Sequence, residues 1–348
     1  MRVLVTGHLG YIGPHVVEIL AAGGCQVTGV DLDLYAESEI YPTALPHESW
    51  RADTFDLSPR DLEGFDAVVH LAAISNDAMG VLDPALTWKV NYEGTLHLAR
   101  CSKQAGVARF LFSSSCSVYG HAGDMPADET APTGPLSVYA RTKVRAEESL
   151  SKLAGASFSP TYLRNATAYG ISPRFRSDLV LNNLVASAMG DGEIRLLSDG
   201  SSWRPLVHCR DIARTFARLL GAPIPQVHDQ AFNVGANQET FTVRQVAAIV
   251  QDLMPQCSIS YADGAASDPR NYRVDFGKLN RTFPDFRMSS TLRAGARELT
   301  RHLETNHLAR ATLTDDRFVR LKVLQNKMKR GEVPAYFVTP DTAPQLAG

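Results

Sequence analysis

The first half of the chain alternates short apolar runs with longer stretches in which apolar residues recur at helical spacing. Buried strands are predicted at residues 3–6, 27–30, 67–71 and 109–112, and helices at 11–22 and about 84–104. Strands that alternate with helices predict an α/β fold with a doubly wound parallel sheet, because each return to the sheet takes a right-handed crossover. The carboxyl ends of these strands would share one edge, where such sheets bind their ligands.

The second half is less regular, since turn-forming residues interrupt it at 170–173, 190–192 and 198–200. It predicts a smaller α+β C-terminal lobe that caps the sheet edge. We expect a sheet domain of residues 1–165 with a return segment at about 208–236, a lobe of residues 166–207 and 237–335, and a tail of residues 336–348. Residues 317–330 predict a basic amphipathic helix that packs with its charged side in solvent.

The composition of the chain argues against several classes of protein. The 348 residues are 44% hydrophobic and 21% charged, and the formal net charge is −2, which is typical of a globular protein. A basic stripe is missing, so no nucleic-acid partner is expected. Five widely spaced cysteines form no CxxC pair, so neither disulfides nor a metal site is expected. No leader or membrane-length apolar run is found, which favours a cytoplasmic protein without a membrane partner.

A glycine-rich turn joins the first strand to the first helix. Gly7 permits a tight turn, Gly10 lets a diphosphate approach the backbone, and Gly13 lets the helix pack close to the strand. The helix N-terminus would offer that diphosphate free N–H groups. Asp31 ends the second strand, where a carboxylate accepts hydrogen bonds from ribose hydroxyls and repels a 2′-phosphate. The sequence therefore predicts a Rossmann-type domain that binds NAD rather than NADP.

A second motif lies further along the chain. Tyr139 and Lys143 are four residues apart on one face of a predicted helix, and the run Ser-Ser-Ser-Cys-Ser at 113–117 follows a predicted strand. Together with the glycine-rich turn, these motifs resemble the extended short-chain dehydrogenase/reductase family. Within it they are similar to the NAD-dependent nucleotide-sugar epimerases and dehydratases, such as the UDP-glucose 4-epimerases. The resemblance covers roughly residues 1–330.

The resemblance implies a role for each residue of the second motif. Tyr139 would be the catalytic base, Ser115 would orient the reacting hydroxyl, and Lys143 would hold the nicotinamide ribose. A Lys ammonium near a phenol, helped by the positive nicotinamide, would lower its pKa from about 10 toward working pH. The implied contacts with the cofactor are Gly7, Leu9, Gly10, Tyr11, Ile12, Asp31, Asp53, Thr54, Leu71, Ala72, Ala73, Asn91, Tyr139 and Lys143. Of these, Asp53 and Thr54 resemble the adenine-contacting pair, and Asn91 is either a brace near the cofactor or a structural helix residue.

The resemblance also implies a nucleotide-diphosphate sugar as substrate. Arg204 and Arg270 would hold its diphosphate, since a guanidinium group can fork onto phosphate oxygens. The implied contacts with the substrate are Ser115, Cys116, Ser117, Thr167, Asn183, Arg204, Arg270 and Tyr272. Thr167 departs from the family, which has Asn at that position. A homodimer through the helices at 84–104 and 138–153 is implied as well.

The residues after Ser115 bear on the reaction. Sugar 4,6-dehydratases carry an acid pair there, and Cys116 and Ser117 are not carboxylates. We therefore expect an epimerase that oxidises C4 of a hexose transiently. The alternatives are a reductase of nucleotide 4-keto-6-deoxysugars that consumes NAD(P)H, a dehydratase, and an NAD-binding regulator without catalysis. Cys116 is either a proton carrier or a small buried residue, and Asp77 is either an acid or a helix N-cap.

Overall fold

The computed structural model describes residues 1–75, 77–120, 125–268, 270–305 and 313–338. The strands are β1 (Arg2–Thr6), β2 (Gln26–Asp31), β3 (Glu48–Arg51), β4 (Ala67–His70), β5 (Arg109–Ser115), β6 (Ser159–Asn165), β7 (Thr167–Tyr169), β8 (Glu193–Leu196), β9 (Trp203–His208), β10 (Gln230–Val234), β11 (Thr240–Thr242) and β12 (Ser258–Tyr261). Most of the expected tail, residues 339–348, lies outside the described residues.

The α-helices of the described residues are α1 (Gly13–Ala22), α2 (Asp77–Leu82), α3 (Pro84–Trp88), α4 (Thr95–Gln104), α5 (Val138–Leu153), α6 (Val180–Asp191), α7 (Cys209–Leu220), α8 (Ile224–Val227), α9 (Val243–Leu253), α10 (Gly277–Thr282), α11 (Leu292–Thr305) and α12 (Arg320–Arg330). The helix predicted at 84–104 is not continuous, because Lys89–Gly94 form a π-helical turn between α3 and α4. The helix predicted from residue 317 begins three residues later, after a 3₁₀ turn at Asp316–Phe318.

Seven parallel strands form the main sheet in the order β10-β6-β5-β4-β1-β2-β3. The predicted Rossmann-type doubly wound fold is confirmed. The strand order reverses between β1 and β4, which is where open α/β sheets bind ligands. The glycine-rich turn follows β1, and Leu71 to Ala73 follow β4, so the two loops meet at this point.

Apolar residues of the central strands supply both faces of the sheet. Val3 and Val5 pack in the cluster that contains Val16 of α1 and Phe216 of α7. Leu4, between them in sequence, packs in the opposite cluster with residues of α4 and α5. This division follows from the two-residue period of a strand, and a strand covered on both faces has to be apolar throughout.

A smaller lobe covers the carboxyl edge of the sheet. It contains a three-stranded sheet (β11-β9-β7) and a parallel pair (β12-β8). Its core is a separate cluster with residues of α6, α9 and α11, among them Leu184, Val250 and Leu299. After β9 the chain returns to the main sheet, where β10 pairs with β6 at the edge. The chain therefore passes from sheet to lobe after β6, returns to the sheet for β10 and enters the lobe again, so both line the space between them.

Candidate active site

The glycine-rich turn is tight enough to exclude side chains at two positions. Gly7 has φ +74°, and a Cβ there would lie 2.7 Å from the backbone N of Ala72. A Cβ on Gly13 would lie 2.3 Å from the carbonyl oxygen of Gly7. Only glycine permits this approach of β1, α1 and the end of β4. The turn leaves bare backbone facing the cavity, as a bound dinucleotide diphosphate requires.

The carboxylate of Asp31 closes the other side of the turn. It accepts hydrogen bonds from the backbone N–H groups of Leu9 (2.9 Å) and Asp33 (2.8 Å). Burial raises the pKa of Asp31, although these two hydrogen bonds oppose the shift. Leu9 is not part of the cavity wall, and it reaches the site through this backbone contact. The carboxylate stays at the strand end, where the ribose of NAD needs an acceptor.

Asp53 and Thr54 lie farther along the same wall. One oxygen of Asp53 caps a 3₁₀ turn by accepting from the backbone N–H of Phe55 at 3.0 Å. Its other oxygen accepts a hydrogen bond from the hydroxyl of Tyr336. No sequence motif pointed to Tyr336, which falls in the segment expected to be a tail.

Ser115, Tyr139 and Lys143 come together at the centre of the cavity. Ser115 ends β5, and it lies near enough to the Tyr139 hydroxyl to lower the pKa of that phenol. Ser137 caps α5 by accepting from the backbone N–H of Ala140 at 3.1 Å, which fixes the start of the helix that carries Tyr139. The Nζ of Lys143 donates to the carbonyl oxygen of Ser113 at 2.7 Å and lies 5.7 Å from the centre of the Tyr139 ring.

Burial dominates the electrostatics of this group. It raises the pKa of Tyr139 to about 12, with a further contribution from the carboxylate of Asp77. Hydrogen bonding to Ser115 and the charge of Arg176 act in the opposite direction. Burial also lowers the pKa of Lys143 to about 7, against the attraction of Glu147. The ammonium alone therefore does not bring the phenol toward working pH, and additional positive charge is needed at the site.

A buried ionic network lies behind the catalytic group. Glu147 and Arg164 form an ion pair of 2.6 Å, and each side chain is only 9% exposed. Glu147 also accepts from the hydroxyl of Ser114, and Arg164 donates to the Tyr119 hydroxyl at 2.9 Å. The network ties α5 to the carboxyl ends of β5 and β6. It thereby sets the distance between Ser115 and Tyr139.

Cys116 is not brought to the cavity. Its side chain is fully buried, and its thiol donates to the backbone carbonyl of Arg164 at 3.1 Å. Burial raises the pKa of this thiol well above its ordinary value. The structure therefore separates Cys116 from the substrate contacts predicted with it, because the 3₁₀ turn after β5 directs its side chain into the core. Ser117, the next residue but one after Ser115, does line the cavity.

Two arginines mark the far end of the cavity. Arg204 contacts Asp268 at 2.7 Å and donates to the backbone carbonyl of Arg270. Arg270 contacts Asp268 at 2.6 Å and Asp77 at 3.1 Å. Although burial alone would raise the pKa of Asp268, hydrogen bonds from Arg270 and the two positive charges hold it below its usual range. Asp268 thus keeps both guanidinium groups at one place, where they can meet an anionic ligand.

With the exceptions of Leu9, Cys116 and Asn91, the predicted site residues line one cavity of about 1140 Å³ between the sheet and the lobe. The amide of Asn91 is bonded to both backbone groups of Ile74, at 2.8 and 2.9 Å. It braces the loop after β4 rather than facing the cavity. The cavity wall also contains Thr167, Asn183 and Tyr272, to which the family pattern assigns substrate contacts.

Sequence reasoning missed other residues of the wall, namely Tyr35, Asn165, Arg176, Arg320 and Tyr336. Asn165 lies two residues from the predicted Thr167. Its Oδ1 and the Oγ of Ser117 are buried without a hydrogen-bond partner in the described part of the chain. Such groups are costly unless a ligand satisfies them. Asn165 could have been found from its position at the end of β6, the strand next to β5. It was missed because the mixed polar and apolar sequence of β6 did not predict a strand.

The described residues contain no candidate membrane span or metal site. None of their helices is long and apolar enough to cross a membrane. Nor do their His, Cys, Asp and Glu side chains form a group that would hold a metal ion.

Comparisons with known proteins agree on a family. The model of the NAD-dependent epimerase/dehydratase family matches residues 3–235. UDP-glucose 4-epimerase from Mycolicibacterium smegmatis is 30% identical over 291 residues, which are 81% of this chain and 89% of that protein. UDP-glucuronic acid decarboxylase 2 from Arabidopsis thaliana is 28% identical over 285 residues, or 80% of this chain. The match spans 63% of the length of the plant protein.

Solved structures show the same arrangement. MoeE5 in complex with UDP-glucuronic acid and NAD is similar to this chain with a TM-score of 0.77 and 26% sequence identity. The similarity covers 88% of this chain and 99% of MoeE5. The described cavity thus lies in a fold that holds NAD and a nucleotide sugar in that protein.

Proposed function

The chain belongs to the NAD-dependent epimerase/dehydratase family, and on this premise we propose that it is an epimerase of a nucleotide-activated hexose that acts by transient oxidation at C4. Its known relatives include NAD-dependent epimerases and decarboxylases of nucleotide sugars, so the family makes it an enzyme but leaves the reaction open. The choice among these reactions depends on the residues of the site.

The two residues after Ser115 carry the proposal. Neither brings a carboxylate to the cavity, since Cys116 points into the core and Ser117 supplies only a hydroxyl. Loss of a hydroxyl from the sugar needs an acid next to the leaving oxygen. The group Ser115, Tyr139 and Lys143 is sufficient for oxidation and reduction at one carbon. A reaction that only oxidises one carbon and reduces it again therefore fits the site best.

In this mechanism each residue of the chain has one task. Tyr139 takes the proton of the C4 hydroxyl and later returns it, while Ser115 donates a hydrogen bond to the same oxygen. Lys143 supplies positive charge beside the phenol when it is protonated. NAD, held by the glycine-rich turn and Asp31, would supply a hydride acceptor for C4 that is regenerated in each turnover, so neither oxidant nor reductant would be consumed. Arg204 and Arg270 bind the diphosphate and anchor the nucleotide while the sugar turns.

The test is an assay of Tyr139→Phe with matched controls. We expect kcat to fall by about 10²–10⁴-fold, the usual contribution of a general base, while the content of bound NAD stays unchanged. Tyr261→Phe, at an exposed position, is the control and keeps full activity. Nucleotides released by heating the purified protein are identified in parallel. Near-stoichiometric NAD is expected, because an epimerase recycles its cofactor.

Other outcomes would assign other reactions. Steady loss of absorbance at 340 nm with a keto sugar would make the enzyme a reductase. Release of CO₂ from a nucleotide-linked glucuronate would make it a decarboxylase. Full activity of Tyr139→Phe would remove the proposed base.

We also propose a homodimer through α3, α4 and α5. The outer surface of α4 and α5 carries exposed Arg100, Arg145 and Glu148, so an antiparallel pairing of two copies can match opposite charges. Light scattering at micromolar concentration should give twice the 37.9 kDa chain mass. A mass of one chain would reject the dimer without affecting the catalytic proposal.

A further inference from the structure

The last described segment of the chain, residues 319–337, crosses the nucleotide end of the cavity. We call this segment, which comprises α12 and the following turn, the C-terminal arm. Its side chains in the cavity wall are those of Val319, Arg320, Leu321, Leu324, Tyr336 and Phe337. The same wall contains Asp31, Asp53 and the glycine-rich turn. The arm therefore shares the cavity with these features, and it contacts Asp53 directly through Tyr336.

The arm is firmly docked. Leu324, Met328 and Phe337 are between 2% and 3% exposed and form a cluster with Ile74 and Leu86. Ile74 is in the loop after β4 that Asn91 braces. Burial of three large apolar side chains stabilises this contact through the hydrophobic effect. The arm is thus part of the folded site.

Tyr336 contacts Asp53, the residue to which the family pattern assigns the adenine of NAD. Its hydroxyl donates to Asp53, and its ring meets Phe55 edge-on at 5.7 Å. The ammonium of Lys89 lies 4.7 Å from the ring centre. The other oxygen of Asp53 is held by the backbone N–H of Phe55. The Thr54 hydroxyl donates to that same oxygen at 3.2 Å. The carboxylate is therefore fixed from both sides, and the arm supplies the hydrogen bond to its second oxygen.

Arg320 brings a buried positive charge to the same wall. Its side chain is 2% exposed and stacks on Tyr35, with 4.0 Å from the guanidinium carbon to the ring centre. Within the described residues its hydrogen bonds go to neutral oxygens, the Ser38 hydroxyl at 2.9 Å and the Arg174 carbonyl at 3.2 Å.

The neighbouring cations already have acidic partners. Arg174 contacts Asp33 at 3.0 Å and Glu39 at 3.1 Å, and Arg176 contacts Asp178 at 2.8 Å. Burial, together with the charge of Arg176, lowers the pKa of Arg320 to about 10, although Tyr35 and the carboxylate of Asp178 act in the opposite direction. A buried cation held by neutral oxygens gains most from a nearby anion. The dinucleotide carries that anion in its diphosphate.

We propose that the C-terminal arm is a structural part of the NAD site and retains the cofactor between turnovers. Tyr336 positions the Asp53 carboxylate for the adenine amino group, and Arg320 adds positive charge to the wall that faces the dinucleotide phosphates. The cofactor leaves only after the contacts of the arm have opened. This inference rests on NAD binding and not on the proposed epimerisation.

The rate of NADH release tests the arm without any sugar. The full-length protein is loaded with NADH, excess NAD⁺ is added, and the loss of protein-bound NADH fluorescence is followed. We expect Tyr336→Phe and Arg320→Gln each to accelerate release about tenfold, the effect of one hydrogen bond worth about 1.4 kcal/mol. The matched controls are Tyr261→Phe and Arg297→Gln, both at exposed positions, and both should release NADH at the parent rate.

A double variant separates positioning from general loosening. If Tyr336 acts through Asp53, the variant Asp53→Asn with Tyr336→Phe releases NADH no faster than Asp53→Asn alone. Additive acceleration, or a release rate of Tyr336→Phe equal to that of the parent, would overturn the proposal. Should Arg320→Gln not fold, as judged by circular dichroism, the Tyr336 and Asp53 variants are sufficient by themselves.

Discussion

At the scale of single residues, two adjacent glutamates on α5 have different surroundings. Glu147 pairs with Arg164 in the interior, where both side chains are 9% exposed. Glu148 pairs with Arg145 on the surface, where the side chains are 48% and 62% exposed. Solvent screens the second pair, whereas loss of the first leaves an uncompensated charge inside the protein. The catalytic helix is thus held by the buried pair.

Glu147→Gln should therefore destabilise the protein strongly. We expect a loss of about 3–5 kcal/mol in the free energy of unfolding, as is usual when one partner of a buried ion pair is removed. Glu148→Gln, one position further, should change it little. Urea denaturation of both variants measures the difference. Equal midpoints would mean that the interior pair does not hold α5 in place.

Single residues near the nucleotide were predictable because their motifs are local in sequence. Gly7, Asp31 and the pair Tyr139 and Lys143 each stand at the end of a strand or on one helix face. The role of Cys116 was open, since its direction depends on a turn that the sequence pattern does not encode. Tyr336 was out of reach because its contact with Asp53 joins residues 283 positions apart.

At the scale of elements, apolar periodicity found the central strands and missed those of mixed composition. The strand β6 is buried at all seven positions, yet Thr161 and Arg164 interrupt its apolar pattern. Arg164 is tolerated there because Glu147 neutralises it. Likewise β5 continues three serines beyond the apolar run, since Ser113 to Ser115 pair with Leu163 to Asn165. The polar end of β5 is the part that carries Ser115.

The π-helical turn between α3 and α4 is another element that periodicity could not predict. Asn91 lies in it, and its backbone carbonyl accepts from the Thr95 hydroxyl at 2.7 Å. The wider turn places the Asn91 amide against the loop after β4. Such turns are often found where a functional site needs a side chain re-aimed. The helical pattern of the sequence remains intact while the hydrogen bonding changes.

At the scale of the whole molecule, buried histidines make the stability depend on pH. Burial lowers the pKa of His15 to about 4 and that of His70 to about 3. Both are neutral in the folded protein at pH 6, whereas the unfolded chain begins to bind protons below about 6.5. The unfolded state then holds more protons, so stability is fully present above this pH and decreases as the pH falls.

The variant His15→Gln measures this contribution. Between pH 6.5 and about 4 the parent should lose about 1.4 kcal/mol of unfolding free energy per pH unit for each such histidine. In His15→Gln, whose amide can still donate to the Ile171 carbonyl, the slope should be smaller by that amount. His228→Gln, at a partly exposed position, is the matched control. Identical slopes for all three proteins in urea titrations would contradict the assignment.

The contact of Tyr336 with Asp53 also orders events during synthesis. Translation reaches Asp31 and Asp53 early, shortly after the residues of the glycine-rich turn. Almost all residues of the sheet and the lobe are then added before Tyr336. A nascent or truncated chain can therefore contain the glycine-rich turn and Asp53 while one oxygen of the Asp53 carboxylate still lacks the hydrogen bond from Tyr336. A chain that stops before Tyr336 is therefore expected to release NAD faster than one that contains this residue.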